Sequence, residues 1–331
     1  MKQVRTNKIG VFYDPLIKEG SFNEGHLEQI RAAAPEADIV IVKDSKKIDD
    51  ETLARCVDVE IFFGTDIKYW IKSLPCLKWV QVSIAGVDWL LEDPDIAGSN
   101  VAITNASGVH AIPVSEHVLA VMLSFARNIN VHFKDQMNRR WQRLPEYREL
   151  SGSTIGIIGI GKIGEKIAER AKSMGMKVLG VRRNPDRTSS FVDRMFGPDQ
   201  LLDMLPFCDW VVISAAATNE TGGMFGASEF NAMKKSAYII NIARGALIQE
   251  DDLTKALREE RIAGAGLDVF EKEPIEESSS FWELPNVIIT PHIAAVTPYY
   301  VDRLVDIFCD NLKRYLSGKP LINLVDRKLG Y

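Results

Sequence analysis

Three side chains in the second half of the chain have the types and the setting to work on a carbonyl that stands beside a carboxylate. Arg244 follows the run Tyr238-Ile-Ile-Asn-Ile-Ala243, Glu273 lies in Gly266-Leu-Asp-Val-Phe-Glu-Lys-Glu273-Pro274, and His292 lies in Val287-Ile-Ile-Thr-Pro-His292. A planar guanidinium can hold a carboxylate through two parallel hydrogen bonds and polarise the neighbouring carbonyl, a fork that lysine lacks. An imidazole titrates near ~6.5 before perturbation, so His292 suits donation of a proton to a developing alkoxide and removal of one in reverse. A carboxylate beside the ring fixes its tautomer and favours its charged form. Together the three could hold a ligand's carboxylate, polarise the carbonyl beside it and move a proton at its oxygen. Taken singly, each has a plain alternative: a strand-end cap for Arg244, a surface loop charge for Glu273, an ordinary turn for Pro291-His292. Of the other histidines, His26 and His132 have no supporting context, and packing explains His110 and His117, although His110 could approach a cofactor.

The elements that must position these groups are short β-branched runs alternating with helical stretches, the mark of a parallel sheet covered by helices. In the first third the strand candidates are Lys8–Tyr13, Asp38–Val42, Val59–Gly64, Trp79–Ser83 and Val101–Thr104. The pattern restarts with Thr154–Ile160, Lys177–Val181, Trp210–Ala215, Ala237–Ile242, Gly266–Phe270 and Val287–Thr290, near-continuous apolar runs as in strands buried on both faces. Amphipathic helices such as Lys162–Met174 and Gln249–Glu260 lie between them, and two long helices are predicted at Ile112–Asn130 and Pro298–Ser317. The simplest arrangement has both long helices cross between two α/β domains, with the C-terminus returning to the first. The segment His132–Leu150 is rich in Arg, Gln and Asn and reads as a solvated connector or an arm toward a second subunit. In an open parallel sheet ligands gather beyond the carboxyl ends of the strands, which is where Arg244, Glu273 and His292 fall.

Gly159-Ile160-Gly161-Lys162-Ile163-Gly164 joins a β-branched strand directly to an amphipathic helix. That context makes a pattern that is weak alone into a dinucleotide loop: Gly159 permits the tight turn, Gly161 the approach of a pyrophosphate, Gly164 close packing of helix on strand. The helix N-terminus adds free N–H groups and a positive dipole end. The first unit has no such loop, since Lys8–Tyr13 runs into Asp14-Pro15. In the NAD-binding version of the motif, an acid about 20 positions beyond the glycines takes the ribose hydroxyls. Here the second strand ends in Arg182-Arg183-Asn184. Guanidinium groups there suit a 2′-phosphate, so NADP(H) is the preferred cofactor; with both arginines turned to solvent, NAD(H) would serve as well.

These residues resemble the D-2-hydroxyacid dehydrogenases, in the branch of glyoxylate and hydroxypyruvate reductases and phosphoglycerate dehydrogenases. The likeness runs essentially end to end, through Ala85-Gly-Val-Asp88, Asn105-Ala-Ser-Gly-Val-His110 with Glu116-His117, the glycine loop, Asn241-Ile-Ala-Arg-Gly245, Leu267-Asp-Val-Phe270 with Glu273-Pro274, and Pro291-His292. The resemblance implies two doubly wound domains: a discontinuous flavodoxin-like substrate domain of about Met1–Thr104 plus Val296–Tyr331, and a Rossmann cofactor domain of about Asn105–Ala295. A cleft between them would hold the site and close over the cofactor. It gives Arg244, Glu273 and His292 the roles argued above, and has the amides of Ala85, Gly86 and Val87 hold the substrate carboxylate. It assigns Ala216, Thr221, Ile242, Ala243, Asp268 and Ala294 to the cofactor, Asp268 at the nicotinamide carboxamide. It also implies a homodimer in which His132–Leu150 embraces the neighbour, with Trp141 the aromatic that could reach the other active site. Ala215-Ala-Ala-Thr218 departs from the family's Leu-Pro-Leu-Thr, and Ala294 stands where glycine is common; both leave the choice of 2-oxo acid open.

Composition agrees with a globular enzyme. The 331 residues suit two domains, and 46% hydrophobic with 26% charged is an ordinary globular mixture. A net charge of -5 gives no basic footprint for nucleic acid, and no apolar run approaches the ~20 residues of a membrane span. Cys56, Cys76, Cys208 and Cys309 form no CxxC pair, which points away from a metal site and toward a reducing compartment, the cytoplasm. Rival readings are a related dehydrogenase acting on phosphoglycerate, formate or phosphite, and a dinucleotide-sensing co-repressor. Formate needs no proton relay, and no basic patch supports the co-repressor.

Overall fold

A computed structural model describes residues 8–12, 22–43, 46, 49–64, 66–87 and 93–327. Tyr13, Asp14, Pro15 and Asp88 lie outside the described residues. The chain divides into two compact units, Met1–His110 with Val296–Tyr331, and Ala111–Ala295. The division falls after His110, where the sequence reading put it after Thr104. The reason is local to the first unit: Asn105 N–H donates to the Asn323 carbonyl, and the Asn323 side chain donates to Ser107.

In the first unit, strands β1 (Lys8–Phe12), β2 (Asp38–Val42), β3 (Ile61–Phe63), β4 (Trp79–Gln81) and β5 (Ala102–Thr104) form a parallel sheet in the order β2-β1-β3-β4-β5. Successive side chains leave a strand on opposite faces. Ile9, Val11, Ile61, Phe63 and Trp79 thus pack on one core with Phe308 of the helix Tyr300–Leu316, while Phe12, Phe62 and Val80 pack on the other with Trp70. Burial on both faces explains why these strands read as unbroken apolar runs.

In the second unit, β6 (Thr154–Ile158), β7 (Lys177–Val181), β8 (Arg194–Phe196), β9 (Trp210–Ile213), β10 (Tyr238–Asn241), β11 (Gly264–Leu267) and β12 (Val287–Ile289) form a second parallel sheet in the order β12-β11-β10-β9-β6-β7-β8. Both sheets are doubly wound, as the sequence implied. The strand order reverses between β6 and β9, the switch point at which such sheets take their ligands. Three differences from the sequence reading stand out. The edge strand β8 is new. The long helix predicted at Ile112–Asn130 stops at Ala126, and a second helix runs Ile129–Met137, because Asn128 adopts a left-handed backbone (φ 54°). Asparagine tolerates that conformation better than most residues. The polar segment from His132 therefore begins as helix, not as a connector.

Candidate active site

The second unit brings Glu273 and His292 together. His292 follows β12, and its Nδ1 lies 2.7 Å from Glu273 Oε2. The other carboxylate oxygen, Oε1, accepts from the Phe270 N–H at 3.0 Å, so the glutamate is fixed by its own loop. Partial burial pushes the Glu273 carboxyl up, but the Phe270 N–H, the hydrogen bond and charge of His292 and the charge of Arg244 outweigh it, and its pKa lies below the ordinary value. With Nδ1 engaged, Nε2 is the ring nitrogen left to serve a substrate oxygen.

Arg244 is placed by Asn241, a buried residue at the end of β10 that the sequence reading quoted in its motif without a role. The Asn241 side chain donates to the Arg244 carbonyl at 2.9 Å and accepts from the Ala243 N–H at 3.1 Å, which folds the turn. An asparagine ending an otherwise apolar strand was the available signal. The Arg244 side chain is exposed and donates to the Ala243 carbonyl at 2.8 Å.

Asp268, 2% exposed, is the hub of the His292 loop. Its Oδ1 accepts from Thr290 Oγ1 (2.6 Å) and the Ile293 N–H (2.9 Å), its Oδ2 from the Ala294 N–H (2.9 Å), and its main-chain carbonyl from the His292 N–H (2.9 Å). His292 itself is held at φ 54°. A non-glycine residue in this left-handed region costs roughly 1–2 kcal/mol, a strain that the surrounding bonds must sustain.

The glycine loop has the form a dinucleotide needs. Gly159 has φ 98° and its N–H donates to the Val181 carbonyl. A Cβ on Gly164 would collide with the Gly159 carbonyl oxygen, so glycine alone lets the helix Lys162–Ser173 sit this close to β6. A Cβ on Gly161 would meet nothing within 4 Å, an open cradle at a helix N-terminus that no side chain caps. The first bond of that helix is Glu165 N–H to the Gly161 carbonyl, leaving the preceding amides of Lys162, Ile163 and Gly164 for an anionic ligand. Ile160 is buried beneath the loop. Ser214, also missed from sequence, donates to the Gly159 carbonyl at 2.7 Å and ties the loop to the end of β9. Thr221 donates to the Ala216 carbonyl at 2.8 Å, closing the turn after that strand. Ile242 is buried where β10 ends.

Arg182, at the end of β7, donates to the Arg187 carbonyl at 3.0 Å. Burial first and the charge of Arg187 second disfavour its charged form, against the pull of Glu165. The positive charges of Arg182 and Arg187 thus bear on one another, an arrangement that an anion would relieve. Arg183 instead pairs with Glu220 at 2.9 Å on the surface. In the first unit, Ala85, Gly86 and Val87 follow β4, and the Asn105 side chain fixes their turn by donating to the Ala85 carbonyl at 2.9 Å.

Residues 119–294 match the model of the D-isomer specific 2-hydroxyacid dehydrogenase NAD-binding domain. The chain belongs to the D-isomer specific 2-hydroxyacid dehydrogenase family. It is 32% identical over 262 residues to a glycerate dehydrogenase of Methylorubrum extorquens, covering 76% of this chain and 79% of that one. It is also 32% identical over 260 residues to glyoxylate/hydroxypyruvate reductase A of Photorhabdus laumondii, covering 77% and 82%. A crystal structure of a D-isomer specific 2-hydroxyacid dehydrogenase from Xanthobacter autotrophicus, in complex with NADPH and MES, superposes with a TM-score of 0.82 at 27% identity, over 98% of this chain and 100% of that one. This dehydrogenase is an NAD(P)-dependent oxidoreductase acting on small hydroxy and oxo acids. Among its described residues, no helix is long and apolar enough to cross a membrane.

Proposed function

We propose that this dehydrogenase reduces a short 2-oxo acid, glyoxylate or hydroxypyruvate, with NADPH as the preferred cofactor. The observation that carries the reading is the 2.7 Å bond between His292 Nδ1 and Glu273 Oε2. It holds the imidazole as a proton donor through Nε2. When bound, the reduced nicotinamide supplies the hydride to the carbonyl carbon. His292 gives its Nε2 proton to the carbonyl oxygen as that oxygen becomes an alkoxide, and regains one from water afterwards. Arg244 holds the substrate carboxylate and polarises the carbonyl. Gly159 through Gly164 hold the pyrophosphate, and Arg182 with Arg187 takes the 2′-phosphate. The relatives named for glyoxylate/hydroxypyruvate reduction and the NADPH complex of the Xanthobacter enzyme support this choice.

A panel of 2-oxo acids assayed with NADPH and NADH tests it. Glyoxylate or hydroxypyruvate should give the highest kcat/KM, with NADPH favoured. Arg182→Asp should lose most of that preference through weaker NADPH binding, because an acid repels the 2′-phosphate. Equal use of NADH by wild type would sink the cofactor assignment, and no turnover with any 2-oxo acid would sink the enzymatic one.

The working form is a homodimer in which His132–Leu150 packs on a second copy. The arm is fastened to its own unit: Asn128 donates to the Glu146 carbonyl, His132 meets the Tyr147 hydroxyl at 3.0 Å, and Arg148 N–H donates to the Ala126 carbonyl. Its apolar groups nonetheless face outward, with Phe133 62%, Met137 83% and Trp141 102% exposed. A pre-ordered surface of this kind is what an interface core requires. Sedimentation at micromolar concentration should show a dimer, and Trp141→Ala should raise its dissociation constant by about thirtyfold, as loss of an aromatic anchor does. A wild-type monomer would refute the idea. The four cysteines are free thiols, which suits the cytoplasm.

A further inference from the structure

The loop that carries His292 is held by a polar network that reaches back to the helix Ala111–Ala126. His117, on that helix, is mostly buried, and its Nε2 lies 3.3 Å from Thr290 Oγ1 and 3.9 Å from Asp268 Oδ1. The Thr290 hydroxyl lies 2.6 Å from Asp268 Oδ1. The directions of these bonds follow from the donors available. A carboxylate only accepts, so the single hydroxyl proton of Thr290 goes to Asp268. The Thr290 oxygen then has lone pairs to offer, and the imidazole must be the donor. Burial pushes the His117 imidazole below its ordinary range, against the attraction of Asp268, so the ring is neutral and carries its proton on Nε2. The 3.9 Å approach to Asp268 is therefore not an ion pair; the hydroxyl mediates it.

We propose that His117 is a positioning residue for the reaction: its Nε2–H holds the Thr290 oxygen in the rotamer from which the hydroxyl reaches Asp268, and the carboxylate so ordered holds the 290–294 turn in the left-handed conformation that presents His292. Asp268 binds the turn at four points, to the Thr290 hydroxyl and to the N–H groups of His292, Ile293 and Ala294. Without the histidine donor the part-buried Thr290 oxygen loses a partner, and its side chain can turn to find another; Oδ1 then loses its shortest bond, and the carboxylate can swing off the Ile293 and Ala294 amides. A ring that served only as packing would be replaceable by any ring of its shape. A ring that serves as a donor is replaceable only by another donor.

The proposal rests on His292 as the proton donor, and the experiment separates the two. His117→Phe keeps a ring and removes the donor; His117→Gln keeps an N–H donor at similar reach; Thr290→Val removes the hydroxyl at constant shape. Loss of the network should lower kcat about tenfold to hundredfold, the scale of a displacement near 1 Å at the reacting groups. The KM for the 2-oxo acid and the dissociation constant for NADPH should change less. His117→Gln should recover most of kcat, and the His117→Phe/Thr290→Val double variant should be no worse than the weaker single. In the ¹⁵N spectrum of the histidine-labelled enzyme without substrate, His117 should show the neutral Nε2–H tautomer, lost in His117→Gln and altered in Thr290→Val. A folded His117→Phe with kcat within about twofold of wild type, His117→Gln as impaired as His117→Phe, or an Nδ1–H tautomer in wild type would each overturn it. If His117→Phe does not fold, Thr290→Val and the tautomer decide. His292→Ala is the control. Turnover retained there removes the proton-donor assignment itself, whereas an inactive His292→Ala beside an unimpaired His117→Phe removes only the positioning role.

Discussion

Replacing His292 by alanine should lower kcat for 2-oxo acid reduction by ~10²–10⁴-fold, the usual worth of a positioned acid–base group, while the KM for the acid changes little. Arg244→Ala should fail differently. A guanidinium that holds the carboxylate and polarises the carbonyl acts in both the ground state and the transition state, so KM should rise as kcat falls. Arg244→Lys should restore little, because an ammonium cannot make the bidentate contact. Glu273 adds a pH signature. Its pKa lies below the ordinary carboxylate value, so the carboxylate that partners His292 stays ionised as pH falls into the usual glutamate range and is lost only lower down. The acid limb of the kcat/KM profile should therefore lie lower than an ordinary glutamate would place it, and Glu273→Gln should abolish that limb and depress kcat/KM across the profile. Near wild-type turnover in His292→Ala or Arg244→Ala would remove that residue from the mechanism.

The two glycines of the cofactor loop should separate folding from binding. At Gly161 an added methyl meets nothing within 4 Å, so Gly161→Ala should melt close to wild type. Its methyl would occupy the cradle where a pyrophosphate approaches, and NADPH should bind about ten- to a hundredfold more weakly, the equivalent of one or two charge-assisted hydrogen bonds. At Gly164 the methyl would collide with the Gly159 carbonyl inside the protein. Gly164→Ala must push the helix Lys162–Ser173 from β6, so it should lower Tm as well as cofactor affinity, at the ~1–3 kcal/mol typical of overpacking. Melting curves with and without NADPH, beside a titration of intrinsic fluorescence, read both quantities. Identical behaviour of the two variants would show that the loop is not divided in this way.

What was legible in the sequence follows from burial. Trp210–Ile213 is buried at every position, and such a run cannot be a one-sided strand or a surface helix. The edge strand Arg194–Phe196 was invisible because three residues with an exposed arginine carry no pattern. The break at Asn128 was hidden because apolar residues continue on both sides of it, in Phe125 and Ile129. At the site, the motifs gave roles to Arg244, Glu273 and His292, and contained Asn241, His117 and Asp268 without showing that these hold the turns. His117 and Thr290 are 173 residues apart, and only the fold makes them neighbours. Asn241 and Ser214 act on backbone carbonyls, so a polar residue ending an apolar strand is the one mark they leave, and it does not say which carbonyl they hold. Arg183, read as a phosphate ligand beside Arg182, is paired with Glu220, a choice decided by side-chain direction.

The left-handed backbone at His292 sets robustness against catalysis at a single position. Glycine pays no steric penalty there and asparagine a smaller one than most residues, so either would relax the turn. A library of this enzyme sorted by heat tolerance alone should enrich glycine and asparagine at this position, and with His292 as the proposed proton donor those sturdier proteins would not turn over.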